Sequence, residues 1–189
     1  EPNTTQADTL TAFGTTGFTL GADATAGNVN TNTQTYVAWS FAKQAKFFDI
    51  VTWAGDGDST RRINHSLGIE PGMIFIKRAT PSNGSWFVGA RTGLSGTGNW
   101  YGQVYLESTA AAAYPTYKMG DGTSTDFAVG GGFTNDTNFA GSTYVAYLFG
   151  HDTASTGLIQ CGSYTTDGAG VGAATLGWEP QWLLLKVSS

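Results

Sequence analysis

The sequence predicts an all-β protein, an antiparallel β-sandwich of jelly-roll or lectin-like type with little or no helix. Three observations predict it. Runs of strand length, either alternating or continuously apolar, recur along the chain. Gly, Pro and Asn/Asp-Gly clusters separate them at short intervals. No long segment places apolar residues at helical spacing.

The elements follow in order. Tyr36-Val37-Ala38-Trp39-Ser40-Phe41 alternates, with Tyr36, Ala38 and Ser40 on one face and Val37, Trp39 and Phe41 on the other. Val51-Thr52-Trp53-Ala54 runs into Gly55-Asp56-Gly57, where Asp-Gly predicts a hairpin turn. Leu67-Gly68-Ile69-Glu70-Pro71-Gly72 is a turn in which Pro71 presets the first corner and Gly72 accepts a positive φ at the second. Met73-Ile74-Phe75-Ile76, ahead of Lys77, is continuously apolar, as suits a strand covered on both faces. Trp86-Phe87-Val88 follows as its hairpin partner. Ser108-Thr109-Ala110-Ala111-Ala112-Ala113 is the exception: a hydroxyl cap precedes strong helix formers, and Pro115 stops the helix after about one turn.

The second half restates the first. Tyr36-Val37-Ala38 returns as Tyr144-Val145-Ala146, and Phe18-Thr19-Leu20-Gly21 as Phe127-Ala128-Val129-Gly130. Asn-rich stretches, Asn28 to Asn32 and Asn135 to Asn138, precede each Tyr-Val-Ala strand. Residues 51–57 parallel 162–168, and Leu67-Gly68-x-Glu70-Pro71 returns as Leu176-Gly177-x-Glu179-Pro180 before Trp182-Leu183-Leu184-Leu185-Lys186. A period of roughly a hundred residues is far longer than a solenoid repeat, so each copy is a domain-sized β unit. Residues kept in both copies are expected to build the fold; residues in one copy are better candidates for chemistry.

The organisation that results is a half-repeat at 1–44 packing on the core, a complete β unit at 45–152, and the start of the next repeat at 153–189. The chain opens on Glu1 rather than Met, and its last strand-like run lacks the partner that follows it in the first copy. The first reads as a processed product or a fragment; the second reads as a slice of a longer array or as one compact sandwich with its terminal segments packed on it. The last is preferred.

Composition narrows the function. Charged residues make up 12% of the chain, about half the usual share, and solubility rests on hydroxyls and amides. Basic residues are few, with Arg61-Arg62 and Lys77-Arg78 the densest groups. No basic stripe of the kind a phosphate backbone needs is present, so no nucleic-acid partner is expected. No apolar run approaches the ~20 residues of a membrane span, so no membrane insertion is expected. Cys161 is the single cysteine; it permits no internal disulfide and reads as a buried, inert thiol.

Candidate chemistry is sparse. A glycan-cleaving site needs two carboxylates about 5–10 Å apart. Glu70 and Glu179 are equivalent turn residues, as are Asp56 and Asp167, so these read as architecture; Asp49, Glu107, Asp121, Asp126 and Asp136 are unpaired in sequence. No Gly-x-Ser-x-Gly elbow accompanies His65 or His151. His151-Asp152 and Asp56-Gly57-Asp58 are weak metal-ligand patterns. No catalytic residue, metal or cofactor is assigned. The better candidates are aromatic, since flat rings stack on sugar C–H faces while Arg, Asn or Asp bond hydroxyls. Trp86, Arg91, Trp100, Tyr101 and Tyr117, with Tyr114, lie where the second copy is absent. Trp100 and Tyr101 follow Gly96-Thr97-Gly98-Asn99, a loop whose tip would expose them, but a structural place in the fold is the preferred reading for both, as a core position in its hairpin is for Trp86.

Residues 36–41 with Lys46-Phe47-Phe48-Asp49-Ile50-Val51-Thr52-Trp53, the stretch from Leu67 to Arg78, Glu107-Ser108-Thr109-Ala110-Ala111, the stretch from Tyr144 to Asp152, and Cys161-Gly162-Ser163-Tyr164-Thr165 together resemble an uncharacterised repeat module of marine bacteriophage tail-fibre and appendage virion proteins. Residues 177–186 complete the resemblance, which spans nearly all of the chain beyond residue 17. The chain departs from it at Glu107, where Asn is usual, and at Ala90, where His is frequent. The resemblance implies a non-enzymatic structural module of a virion appendage, extracellular, contributing to host attachment. It also implies self-association, with a homotrimer expected, contacts with other virion proteins, and a host surface glycan as a further partner. The alternatives are a carbohydrate-binding, lectin-like module of a phage or secreted protein, and a polysaccharide depolymerase.

Overall fold

The structure is a computed structural model. It describes residues 10–21, 29–81, 84–92, 100, 102–112, 121–130, 137–152 and 157–187. Among the described residues it contains β-strands and no helix, so the fold is all-β. The chain divides into two compact units, Glu1–Phe41 and Ala42–Ser189.

The first unit holds a hairpin of β1 (Leu10–Phe13) and β2 (Phe18–Leu20), antiparallel with Phe13 opposite Phe18. The turn closes through the Gly14 N–H, which donates to the Gly17 carbonyl at 2.7 Å. Residues 36–41, expected as a strand, lie outside any strand. Alternation makes a segment fit for a pleated sheet, but hydrogen-bonded neighbours decide whether it joins one.

The second unit holds β3 (Phe48–Ala54), β4 (Arg62–Asn64), β5 (Met73–Thr80), β6 (Trp86–Ala90), β7 (Val104–Tyr105), β8 (Asp126–Ala128) and β9 (Thr143–Phe149). Five of them form one antiparallel sheet in the order β3-β9-β5-β6-β7, while β4 and β8 pair as a two-stranded ribbon. β9, last in sequence, lies between β3 and β5. Phe48 lies opposite Phe149 and Trp53 opposite Tyr144 on one side, and Ile74 opposite Leu148 on the other.

The strand alternation sorts the side chains into two faces. Trp53, Ile74, Ile76, Phe87, Tyr144, Ala146 and Leu148 point to the face covered by Ile63, Leu67, Phe127 and Val129. Trp53 stacks on Tyr144 with centroids 5.3 Å apart, and the edge of Phe127 meets Trp53 at 5.9 Å. The Trp53 indole N–H donates to the Thr137 carbonyl and the Tyr144 hydroxyl accepts from the Phe139 N–H. These bonds satisfy the polar ends of two buried rings.

Fully buried Asn138 organises the loop after β3. Its Nδ2 donates to Asp56 Oδ1 and the Asp58 carbonyl, and its own carbonyl accepts from the Gly57 N–H. Arg61 closes the cluster on Asp56 Oδ2 at 2.9 Å. The Asp56-Gly57 pair, expected in a hairpin, instead joins β3 to a strand of the other sheet, and the cation beside its carboxylate is a guanidinium.

Three further expectations change. Gly68, not Gly72, carries the positive φ of the Leu-Gly-x-Glu-Pro turn, at 76°. Gly72 is needed for space, because a Cβ there would sit 2.7 Å from the His151 Cβ. Residues 108–112 form no helical turn; the Ser108 hydroxyl does accept from the Ala110 N–H at 3.0 Å, but as a local side-chain turn. Residues 182–186 form no strand, although Met73 to Lys77 do.

Candidate binding face

The sheet face opposite the ribbon is covered less completely. Val88, Val104 and Ala112 are buried there with Met73, Phe75 and Leu106 against them. Beyond that patch the face is a ladder of rings, buried at Phe48 and half-buried at Phe75, Tyr147, Phe149 and Trp86. Phe75 lies opposite Tyr147 and Met73 opposite Phe149 across β5 and β9. Phe149 sits 5.2 Å from both Phe48 and Phe75, and Phe48 stacks with Tyr147 at 6.4 Å. β-Strand pleating brings these residues together, since Phe48 of β3, Phe75 of β5 and Tyr147 and Phe149 of β9 share one parity in three adjacent strands.

Trp86 ends this ladder. It opens β6 directly opposite Lys77, half-buried, with its ring 5.9 Å from Tyr147. The Lys77 ammonium lies 5.7 Å from the Trp86 ring centroid and donates to the Gly84 carbonyl. A cation over an indole face adds about 0.5–1 kcal/mol at an exposed site. The Trp86 N–H donates to Glu107 Oε2 at 3.1 Å. Burial pushes the Glu107 carboxyl up, but hydrogen bonds from its own backbone, Ser85 and Trp86, with Lys77 nearby, hold it below its ordinary value. The result is an aromatic surface of mutually tilted rings bordered by one fixed cation and one fixed anion.

The other sequence candidates fall elsewhere. Trp100 is 3% exposed and belongs to the core on the ribbon side, so the structural reading holds and the exposed tip does not. Its indole N–H donates to Glu70 Oε1 at 2.9 Å, its φ is 58°, and its backbone N–H donates to the Arg91 carbonyl. The glycine-rich approach therefore delivers the ring inward. Arg91 follows β6 and pairs with Glu70 Oε2 at 3.1 Å. Five residues of strand rise separate it from Trp86, about 17 Å. The structure thus joins Arg91 with Trp100 and separates both from Trp86. Tyr101, Tyr114 and Tyr117 lie outside the described residues.

The face also holds residues that sequence reasoning assigned to architecture or passed over, namely Phe75, Lys77, Tyr147 and Phe149. The signal that could have found them was the shared parity of Phe75 and Lys77, and of Tyr147 and Phe149, in two runs already marked as strands.

The carboxylates serve structure. Asp49 is buried, yet Lys43 at 2.6 Å and the Ser66 N–H and hydroxyl outweigh burial and hold it below its ordinary value. Arg62 does the same for Asp126, and the Asp58 N–H and Asn138 for Asp56. His65 is pushed down by burial. Burial raises the Cys161 thiol to about 12, so it stays protonated. His151 Nδ1 accepts from the Cys161 N–H. Among the described residues no three His, Cys, Asp or Glu side chains gather as metal ligands.

Among known families, residues 1–189 match the model of a family described as a domain of unknown function, DUF7483. No curated protein and no solved structure matches the chain.

Proposed function

The chain belongs to DUF7483 over its whole length, and from its surfaces we propose that it is a non-enzymatic structural module of a bacteriophage virion appendage that contributes to host attachment. The observation that carries this reading is the repeat. The chain restates its own strands at domain-sized spacing around one folded sheet, which is how an extended appendage is built from similar units. The resemblance of its motifs to marine phage fibre modules supplies the setting.

The carboxylates support the non-enzymatic part. A glycosidase general acid works with its pKa raised, whereas Asp49, Asp56, Glu107 and Asp126 are all held below their ordinary values. Host contact falls to the ladder ending at Trp86, where a half-buried indole between Lys77 and Glu107 offers a ring to a sugar face and charges to its hydroxyls. A glycan is the partner this favours, and on this reading lectin-like binding is how the appendage attaches.

The test is competition. Purified chain added to host cells before infection lowers phage adsorption in proportion to its concentration, without releasing reducing ends from host polysaccharide. Unchanged adsorption at saturating protein contradicts an attachment role, and released reducing ends contradict the non-enzymatic one.

A further inference from the structure

The three strands that neighbour one another in the sheet each have a second version in the sequence, and none of the second versions is in a strand. Residues 35–41 repeat Thr143–Phe149 of β9 at five of seven positions. Residues 162–165 correspond to 51–54 of β3, and 182–186 to 73–77 of β5. β9 lies between β3 and β5 in the folded sheet. The second β9 is in the unit Glu1–Phe41, and the second β3 and β5 are in the unit Ala42–Ser189. All three expose apolar side chains: Val37 is 76% exposed, Trp39 71%, Leu183 63% and Leu185 59%.

The turns that deliver the second β5 and follow the second β3 already have the form of the first. Gly177 has φ 82°, matching 76° at Gly68 in the equivalent turn. Asp167 Oδ1 accepts from the Ala169 N–H two residues on, as Asp56 Oδ1 does from Asp58. The acceptor segments are therefore set up locally and lack the central strand.

We propose that a second copy of this chain provides it. Residues 36–41 of one copy enter between 162–165 and 182–187 of the next, repeating the β3-β9-β5 pairing between molecules. The register carries over. Ala146 lies opposite Val51 and Ile76, which places Ala38 opposite Gly162 and Leu185. Tyr147 lies opposite Phe75, which places Trp39 opposite Leu184. Ala38 keeps the small residue at the centre of the trio, with Gly162 where the first copy has Val51, and exposed apolar side chains are removed from water. Each copy has one donor segment and one acceptor, so the contact closes as a reciprocal dimer or a larger ring, or propagates into a filament. This inference stands apart from the virion reading and holds wherever the protein resides.

Cysteine pairing between molecules tests it. In a Cys161→Ser background, which removes the single native thiol, a size-tagged Ala38→Cys protein is mixed with Leu185→Cys protein and oxidised. The mixed disulfide dimer is expected, and pairing with Leu184→Cys is at least tenfold poorer, because a one-residue slip turns the side chain to the other face. No mixed dimer, or equal yields with Leu184→Cys, overturns the proposal. So does a double variant, Ala38→Cys with Leu185→Cys, that locks only within one chain and runs as a monomer. Sedimentation of the wild type is expected to show concentration-dependent association, weakened at least tenfold by Val37→Lys with Trp39→Lys, exposed positions whose change leaves the circular dichroism intact. A monomer at every concentration overturns it.

Discussion

The indole of Trp100 donates to one oxygen of Glu70 at 2.9 Å while Arg91 meets the other at 3.1 Å. Glu70 belongs to the repeated Leu-Gly-x-Glu-Pro motif, and Trp100 occurs where the second copy is absent. The unrepeated stretch thus fastens itself to a repeated turn. Trp100→Ala is expected to lower unfolding stability by about 3–5 kcal/mol, as for other buried aromatic truncations. Arg91→Ala removes a half-exposed ion pair and is expected to cost under about 1 kcal/mol. Urea denaturation of both variants checks the ordering. Equal, small losses would mean that Trp100 is not a core residue.

Tyr144 and Tyr36 occupy equivalent repeat positions in different surroundings. The Tyr144 hydroxyl accepts from the Phe139 N–H in the core, and the Tyr36 hydroxyl accepts from the Thr31 N–H at the surface. Tyr144→Phe leaves that N–H without its acceptor and is expected to cost about 1–3 kcal/mol. Tyr36→Phe is expected to change stability by less than about 0.5 kcal/mol. Thermal melts of the pair distinguish the two sites.

Acid is expected to destabilise the fold in two stages. His65 is depressed below its ordinary value of 6.5 by burial, so the unfolded chain takes up a proton first and stability begins to fall as pH drops through that value. Asp49, Asp56 and Asp126 are depressed below 3.8. Their contribution is complete above that value and is lost as pH falls through it and below. Asp49→Asn flattens the second stage and deepens the first, because the Asp49 charge raises His65 against burial. Denaturant midpoints measured from pH 8 to pH 3 check both signs.

Trp86→Ala is expected to abolish binding of the chain to host cells while costing less stability than Trp100→Ala, because Trp86 is half-buried and Trp100 is in the core. Cell-binding isotherms and melts on the same preparations separate contact from folding. Lys77→Met, which keeps the stem and removes the charge above the ring, is expected to weaken binding without a matching loss of stability.

The fold class was legible because alternation and turn residues are local properties. Pairing was not. Residues 36–41 and 144–149 share their pattern almost residue for residue, yet β9 is a strand because β3 and β5 flank it, and nothing local to either segment encodes those neighbours. The exposed-tip reading of Trp100 fails for the same reason: its glycine-rich approach is local, while its partner Glu70 is thirty residues away. Trp86 was marked because it is unrepeated. The rest of its face was hidden among repeated strands, where Tyr147 and Phe149 pass for core until the second layer is seen to cover only the opposite side.

The central claim, that this chain is a structural part of a virion appendage, is tested most directly by immunogold electron microscopy with antibody to the purified chain on intact particles of a phage that encodes it. Gold on the appendages, repeated along them, is the predicted result. Unlabelled particles, with the antigen confined to the soluble fraction of infected cells, would contradict it.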